Sequence, residues 1–229
     1  MFAIRSKSHG AYDVSIRYII GTLPDYLFMS RDGAPIRFWK LAFPFPYRAK
    51  IEHFARAQNL DPFLVAALIR QESLFDKDVV SYAKAIGLMQ VMPGTGRELG
   101  RRVGLGNVRP ASLKIADTNL KIGTYYLRRQ LDAREGSVEE TLAGYNAGPT
   151  RIPIWRGWAD YREPSEFVEN IPLAQTRDYV QIITRNADIY RWLYANEPAP
   201  REETLKVKPA ATAPAKSNAK AKSSAKRRK

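Results

Sequence analysis

The chain has 229 residues, enough for one well-cored domain with appendages and short for two full domains. It contains no Cys and only two His, which excludes disulfides and thiolate metal sites and argues against His-based metal or triad chemistry. The formal charge is +14, but residues 201–229 carry +8 of it through ten Lys or Arg against two Glu, so the rest is only moderately basic. From the N-terminus, Met1-Phe2-Ala3-Ile4-Arg5-Ser6-Lys7 is followed by His9, Gly10 and Asp13, without the apolar stretch of a secretory leader. No run approaches the roughly twenty apolar residues of a membrane span. Tyr12 to Ile20 reads as a short amphipathic helix, and Arg31 to Pro35 as a turn before the aromatic pair Phe38-Trp39.

Two prolines in Phe43-Pro44-Phe45-Pro46-Tyr47 prevent a continuous helix and predict an extended connector, where a domain boundary is expected. From Tyr47 the pattern turns helical, with Ile51, Phe54 and Ala55 at the spacing of a buried face. Asn59-Leu60-Asp61-Pro62 predicts a stop and restart, with Asp61 as N-cap and Pro62 at the first helical position. The next helix carries Leu64, Val65, Leu68 and Ile69 on one side, with Arg70 and Gln71 projecting elsewhere. Further helices are expected after Asp117, over Val138 to Tyr145 and over Thr176 to Tyr194. Strand patterns are sparse. The tail is Lys, Ala, Ser and Pro with hardly a bulky apolar side chain, and cannot bury enough surface to offset its ordering entropy. It is expected to be disordered, either a polyelectrolyte arm for nucleic acid or an anionic envelope polymer, or a solvated tail with no fixed partner.

Glu72 is three residues beyond Ile69 and four beyond Leu68, which places a carboxyl at the end of the apolar stripe. Desolvation there would raise its pKa, as a general acid near neutral pH requires. The plainer alternative is a helix end emerging into solvent, the usual setting of a terminal Glu.

Several segments around it form an ordered set: Arg70-Gln71-Glu72-Ser73, Gly87-Leu88-Met89-Gln90-Val91-Met92-Pro93, Asn119 to Leu127, Ala143 to Pro149, Phe167 to Pro172, and Thr176 to Val180. Singly, each has a packing explanation: Met89 and Met92 as gap-fillers, Gly148 as a helix C-cap. Together with Phe43 to Tyr47 they are spread in order over about two thirds of the chain. In that order the sequence resembles the catalytic domain of the soluble lytic transglycosylases.

The resemblance implies a mainly α, goose-type lysozyme-like fold with little or no β structure. It implies that residues 43–196 are the catalytic domain, that 1–42 is a helical segment like the end of a preceding helical region, and that 197–229 is the basic tail. Glu72 would be acid and base, with Gln90, Met92, Tyr145, Asn146 and Glu169 lining a sugar groove. Ser73 carries over as a groove residue or, equally, as a hydroxyl bonded to local backbone. Glu169 alternatively reads as a solvated loop carboxylate. Tyr145 suits a sugar face, whereas Trp155 and Trp158 read as core. Lys84 departs from the family pattern, which usually has Gly there.

The implied partner is the peptidoglycan glycan strand, with no cofactor and no metal. The implied place is the periplasm or cell envelope. The implied reaction cleaves the bond between N-acetylmuramic acid and N-acetylglucosamine and closes a 1,6-anhydro ring. A lysozyme-type hydrolase using the same Glu72, and a non-catalytic wall-binding module, stay open at this point.

Overall fold

The structure, a computed structural model, describes residues 11–198. The tail expected over 197–229 lies outside the described residues from position 199 on, as do residues 1–10. Among the described residues the chain forms ten α-helices and no strand: α1 (Ala11–Thr22), α2 (Ile36–Ala42), α3 (Arg48–Ala57), α4 (Pro62–Ser73), α5 (Pro93–Arg102), α6 (Ala116–Asp132), α7 (Val138–Ala147), α8 (Ile152–Arg156), α9 (Pro164–Glu169) and α10 (Ala174–Tyr194). The restart before α4 follows the expected chemistry. Asp61 accepts a hydrogen bond from the Phe63 amide at 2.9 Å, and Pro62 opens the helix.

Helix α4 is the axis of the molecule. Leu64 through Arg70 are all buried, so the middle of α4 is surrounded rather than one-sided, while Pro62, Phe63, Gln71 and Glu72 at its ends are partly open. Ala66 and Ala67 leave room for close neighbours, and α10, the longest helix, packs along it. Arg70 is correspondingly buried instead of projecting away. Its guanidinium donates to the Ala42 carbonyl (3.1 and 3.3 Å) and to the Tyr26 hydroxyl (2.9 Å), and lies 4.5 Å over the Phe43 ring.

The Phe-Pro connector is non-helical, as two prolines dictate. Its carbonyls find partners on α10: Tyr190 donates to Pro44 O at 2.9 Å and Tyr194 to Phe43 O at 2.8 Å. Such partners are needed, because buried carbonyls without donors are costly. Trp39 of α2 meets Trp192 of α10 edge to face at 5.8 Å, which packs α2 onto the same core. Helix α7 also packs on α10, and α6 touches both α3 and α7. Residues 80–91 form an irregular loop held by antiparallel bridges from Ile86 to Val80 and to Val91.

Candidate active site

Glu72 occupies the last turn of α4, where the chain leaves the helix through Leu74 in the left-handed conformation (φ 50°). Burial pushes its carboxyl from the ordinary 4.5 up to about 7, although a hydrogen bond from Tyr179 pulls the other way. The negative pole of the helix C-terminus acts in the same upward direction as burial. The plainer alternative, an ordinary solvated helix end, therefore does not describe this residue. The Tyr179 hydroxyl donates to Glu72 Oε1 at 2.5 Å. No other carboxylate contributes to the displacement.

Tyr145, on α7, also feels the charge of Glu72, and with burial this raises its phenol well above the usual range. Its hydroxyl donates to the Met89 carbonyl at 2.7 Å, and its ring packs on Tyr126 with centroids 5.4 Å apart. Two neutral phenols from α7 and α10 thus flank the carboxyl, and one of them also fastens the loop that carries Met89 and Gln90.

That loop is held by a residue absent from the expected site, Asn119 at the start of α6. Its Oδ1 accepts from the Met89 amide, and its Nδ2 donates to Ile86 O and Leu113 O, all at 2.8 Å. The loop approaches α6 so closely that a Cβ at Gly87 would lie 2.5 Å from Asn119 Nδ2, and one at Gly123 would lie 2.4 Å from Met89 Sδ. Gly87 also has φ +79°, a conformation glycine adopts without steric cost.

The structure places the remaining expected residues as follows. Gln90, at φ 46°, turns its amide back to donate to Gly87 O at 2.9 Å. Met92 caps the start of α5 and is 44% exposed. Asn146 accepts from the Thr176 hydroxyl at 2.8 Å, tying the end of α7 to the first turn of α10. Ser73 is not on an open surface. Its buried hydroxyl lies 2.8 Å from Leu88 O and 3.1 Å from Ile69 O, so it bonds local backbone and joins α4 to the loop.

Glu169, the last residue of α9, is exposed and accepts from Gln181 Nε2 at 3.0 Å. Gln181 lies about 200° around α10 from Tyr179, beside a cavity of about 210 Å³ that Glu169 also lines. Trp155 is buried as expected, whereas Trp158 is 56% exposed and departs from the core reading. Lys84 adopts φ 71°, which gives a physical reason why glycine suits this position.

Tyr179 is the functional residue that sequence reasoning missed. It stands inside the Thr176 to Val180 block, on the face of α10 that Thr176 and Ile183 also present to the interior. The available signal was a Tyr at helical spacing on a buried face, which is indistinguishable from core packing until α4 is placed beside it.

The profile of the family described as Transglycosylase SLT domain matches residues 50–168. The soluble lytic murein transglycosylase of Escherichia coli strain K12 is 32% identical over 158 residues, covering 68% of this chain and 24% of the relative. A membrane-bound lytic murein transglycosylase C of Actinobacillus pleuropneumoniae is 35% identical over 111 residues, covering 44% of this chain and 30% of the relative. Among solved structures, an inactive mutant of the lytic transglycosylase Slt from Pseudomonas aeruginosa superposes with a TM-score of 0.67 at 30% identity, covering 81% of this chain and 30% of that one. The 70-kDa soluble lytic transglycosylase of Escherichia coli in complex with bulgecin A gives 0.68 at 28%, covering 82% and 29%. The chain spans about a quarter of the length of the soluble curated relatives it matches. The mainly helical, lysozyme-like fold is the one expected from the motifs. With the family profile covering more than half of its residues, the chain belongs to the Transglycosylase SLT domain family.

Proposed function

We propose that the protein is a peptidoglycan lytic transglycosylase that cleaves the β-1,4 bond from N-acetylmuramic acid to N-acetylglucosamine and leaves a 1,6-anhydromuramoyl end. One observation carries this reading: Glu72 titrates near 7 with Tyr179 on Oε1 and with no carboxylate contributing to that position. Tyr179 holds one oxygen, leaving Oε2 for the substrate. Protonated Glu72 gives its proton to the glycosidic oxygen as the C1–O bond breaks and the muramoyl ring takes on oxocarbenium character. The same carboxylate then removes the proton of the 6-hydroxyl, whose oxygen bonds to C1. The acid is regenerated and no water is consumed.

A two-carboxylate glycosidase needs its second carboxylate as nucleophile or base. Here the substrate's own hydroxyl supplies the nucleophile, favoured over water by its effective molarity. The same reading assigns catalysis to residues 43–196, with Gln90, Met92, Tyr145 and Asn146 lining the glycan groove, while Glu169, paired with Gln181 on a face of α10 away from Tyr179, stands apart from it. Ser73 and Asn119 act through the loop they hold. The enzyme's place is then the cell envelope, where its substrate lies.

Mass analysis of purified wall digested with the protein tests the reading. Products one water lighter than reducing ends are expected. Reducing ends alone, or undiminished cleavage by a Glu72→Gln variant, would overturn it.

A further inference from the structure

The segment from Val79 to Met92 makes two consecutive turns between short paired stretches, and the site described above uses only the second. That turn, Gly87 to Gln90, closes the Ile86–Val91 pair, in which each amide donates to the other's carbonyl (3.1 and 3.0 Å). It is the turn that Ser73, Tyr145 and Asn119 fasten. The first turn is a three-residue hairpin loop. Lys84 N donates to Ser81 O at 3.0 Å, Ser81 N to Ala85 O at 2.9 Å, and Ala85 N to Ser81 Oγ at 3.0 Å. With Lys84 in the left-handed conformation (φ 71°), this is a tight turn ending in a bulge, a common three-residue link between antiparallel strands. Tyr82 stands at its tip and is 97% exposed, the highest value among the large apolar side chains described.

A single exposed aromatic is ordinary, and Phe28 (87%) and Tyr18 (69%) are others. Those two lie ahead of residue 50, where the family profile begins, on elements that carry no groove residue. Tyr82 differs in its position. The Ile86–Val91 pairing sets a register that brings Ala85 beside Met92, about 5 Å across the ladder. Because side chains alternate between faces, Ala85 and Met92 share the side opposite to buried Ile86 and Val91. Tyr82 is three residues before Ala85, within about 11 Å along the chain. The tip therefore extends the rim that Gln90 and Met92 give to the groove. Three hydrogen bonds already fix its backbone, so a ligand meets the ring with little further ordering cost.

We propose that Tyr82 is a specificity-determining contact for the glycan strand, receiving the face of a sugar ring that lies beyond the two rings flanking the scissile bond. The assignment rests on the wall-glycan reading above. In a β-1,4-linked N-acetylhexosamine the ring substituents are equatorial, so its faces carry C–H groups and pack on the flat side of a phenol. A ring that far from the bond is held equally in the ground and transition states. Its contact therefore acts on affinity and on the preferred strand length, not on the chemical step.

The test uses the full chain carrying Glu72→Gln, so that nothing is turned over, titrated calorimetrically with peptide-free β-1,4-linked N-acetylglucosamine oligomers of two to six rings. Affinity is expected to rise with length. Adding Tyr82→Ala should weaken the longest oligomers about fivefold and leave those of three rings or fewer within twofold. Tyr82→Phe, which keeps the ring, should bind like the parent, and both variants should melt within a few degrees of it. With Glu72 restored, Tyr82→Ala should raise KM for purified wall by a similar factor at unchanged kcat. No binding of any oligomer, no weakening at any length, equal weakening at every length, equal loss in Tyr82→Phe, or a fall in kcat at unchanged KM overturns the proposal. Binding is read without cleavage, so a failure of the lyase reading shows in product analysis and a failure of the Tyr82 contact shows in the length dependence.

Discussion

Tyr179 donates its hydroxyl to Glu72 Oε1 at 2.5 Å, joining the last turn of α4 to α10. Burial raises the Glu72 pKa and this hydrogen bond lowers it, and burial wins, leaving the carboxyl at about 7. Tyr179 itself is held neutral by burial and by the adjacent carboxylate, which raise its phenol well above the ordinary value. It therefore acts as a fixed donor, orienting the carboxyl without exchanging protons with it near neutral pH.

Replacing Tyr179 by Phe removes the contribution that lowers the Glu72 pKa, so the Glu72 titration should move upward from about 7. Activity that needs protonated Glu72 should then extend to higher pH, while its maximum falls about tenfold because the carboxyl loses its orienting donor. A pH–rate profile of Tyr179→Phe checks both. An unmoved alkaline limb would show that the hydroxyl does not act on Glu72.

The raised pKa also sets a pH dependence of stability. The folded state holds the Glu72 proton up to about 7 and the unfolded chain only to about 4.5, so folding is progressively disfavoured as pH rises through that window and the full cost is reached above 7. The displacement corresponds to about 3 kcal/mol. Glu72→Gln, which has no charge to bury, should be more stable than the parent above pH 7 by an amount of that order. The gap should close below pH 4.5. Urea denaturation at pH 4 and pH 8 measures the difference; equal gaps at both would contradict the linkage.

Much of this fold was legible because its signals are local. Asp61-Pro62 announces the start of α4, and the two prolines after Phe43 forbid a helix whatever surrounds them. Helix α5 was not among the expected helices, and Gly94, Gly96 and Gly100 within it weaken a helical pattern. Its glycines answer tertiary needs: a Cβ at Gly100 would lie 2.4 Å from a Val108 methyl, and one at Gly96 would lie 3.1 Å from Leu113. At the site, Glu72 and Tyr145 stood out by residue type and motif. Tyr179 and Asn119 did not, because each acts on a segment distant in sequence, and only packing brings them together.

Lys84 holds φ 71° in an exposed stretch of the site loop. A left-handed conformation costs a side-chain-bearing residue about 1–2 kcal/mol, and glycine avoids that cost while losing more chain entropy on folding. Lys84→Gly should therefore be neutral to about 1 kcal/mol stabilising, read as a rise in melting temperature of a few degrees at most. A clear fall would mean that the Lys side chain supports the loop by contacts that outweigh its backbone strain.

Asn119 is fully buried and satisfies three backbone groups at once: the Met89 amide and the carbonyls of Ile86 and Leu113. Asn119→Ala strands all three away from water, at about 1–3 kcal/mol each where nothing relaxes. A loss of several kcal/mol would be a large part of the 5–15 kcal/mol typical of a domain. The local effect should reach further than the global one. Met89 O receives the Tyr145 hydroxyl and Leu88 O the Ser73 hydroxyl, so a loosened loop frees both. Tyr145 would then lose its fixed position beside Glu72. The variant should keep a folded, cooperative transition at reduced urea midpoint and lose turnover by more than its unfolded fraction explains. Amide exchange should quicken at Met89 and Gln90 before it quickens in α4. Uniform acceleration across both would assign Asn119 to general stability alone and remove its role in holding the site.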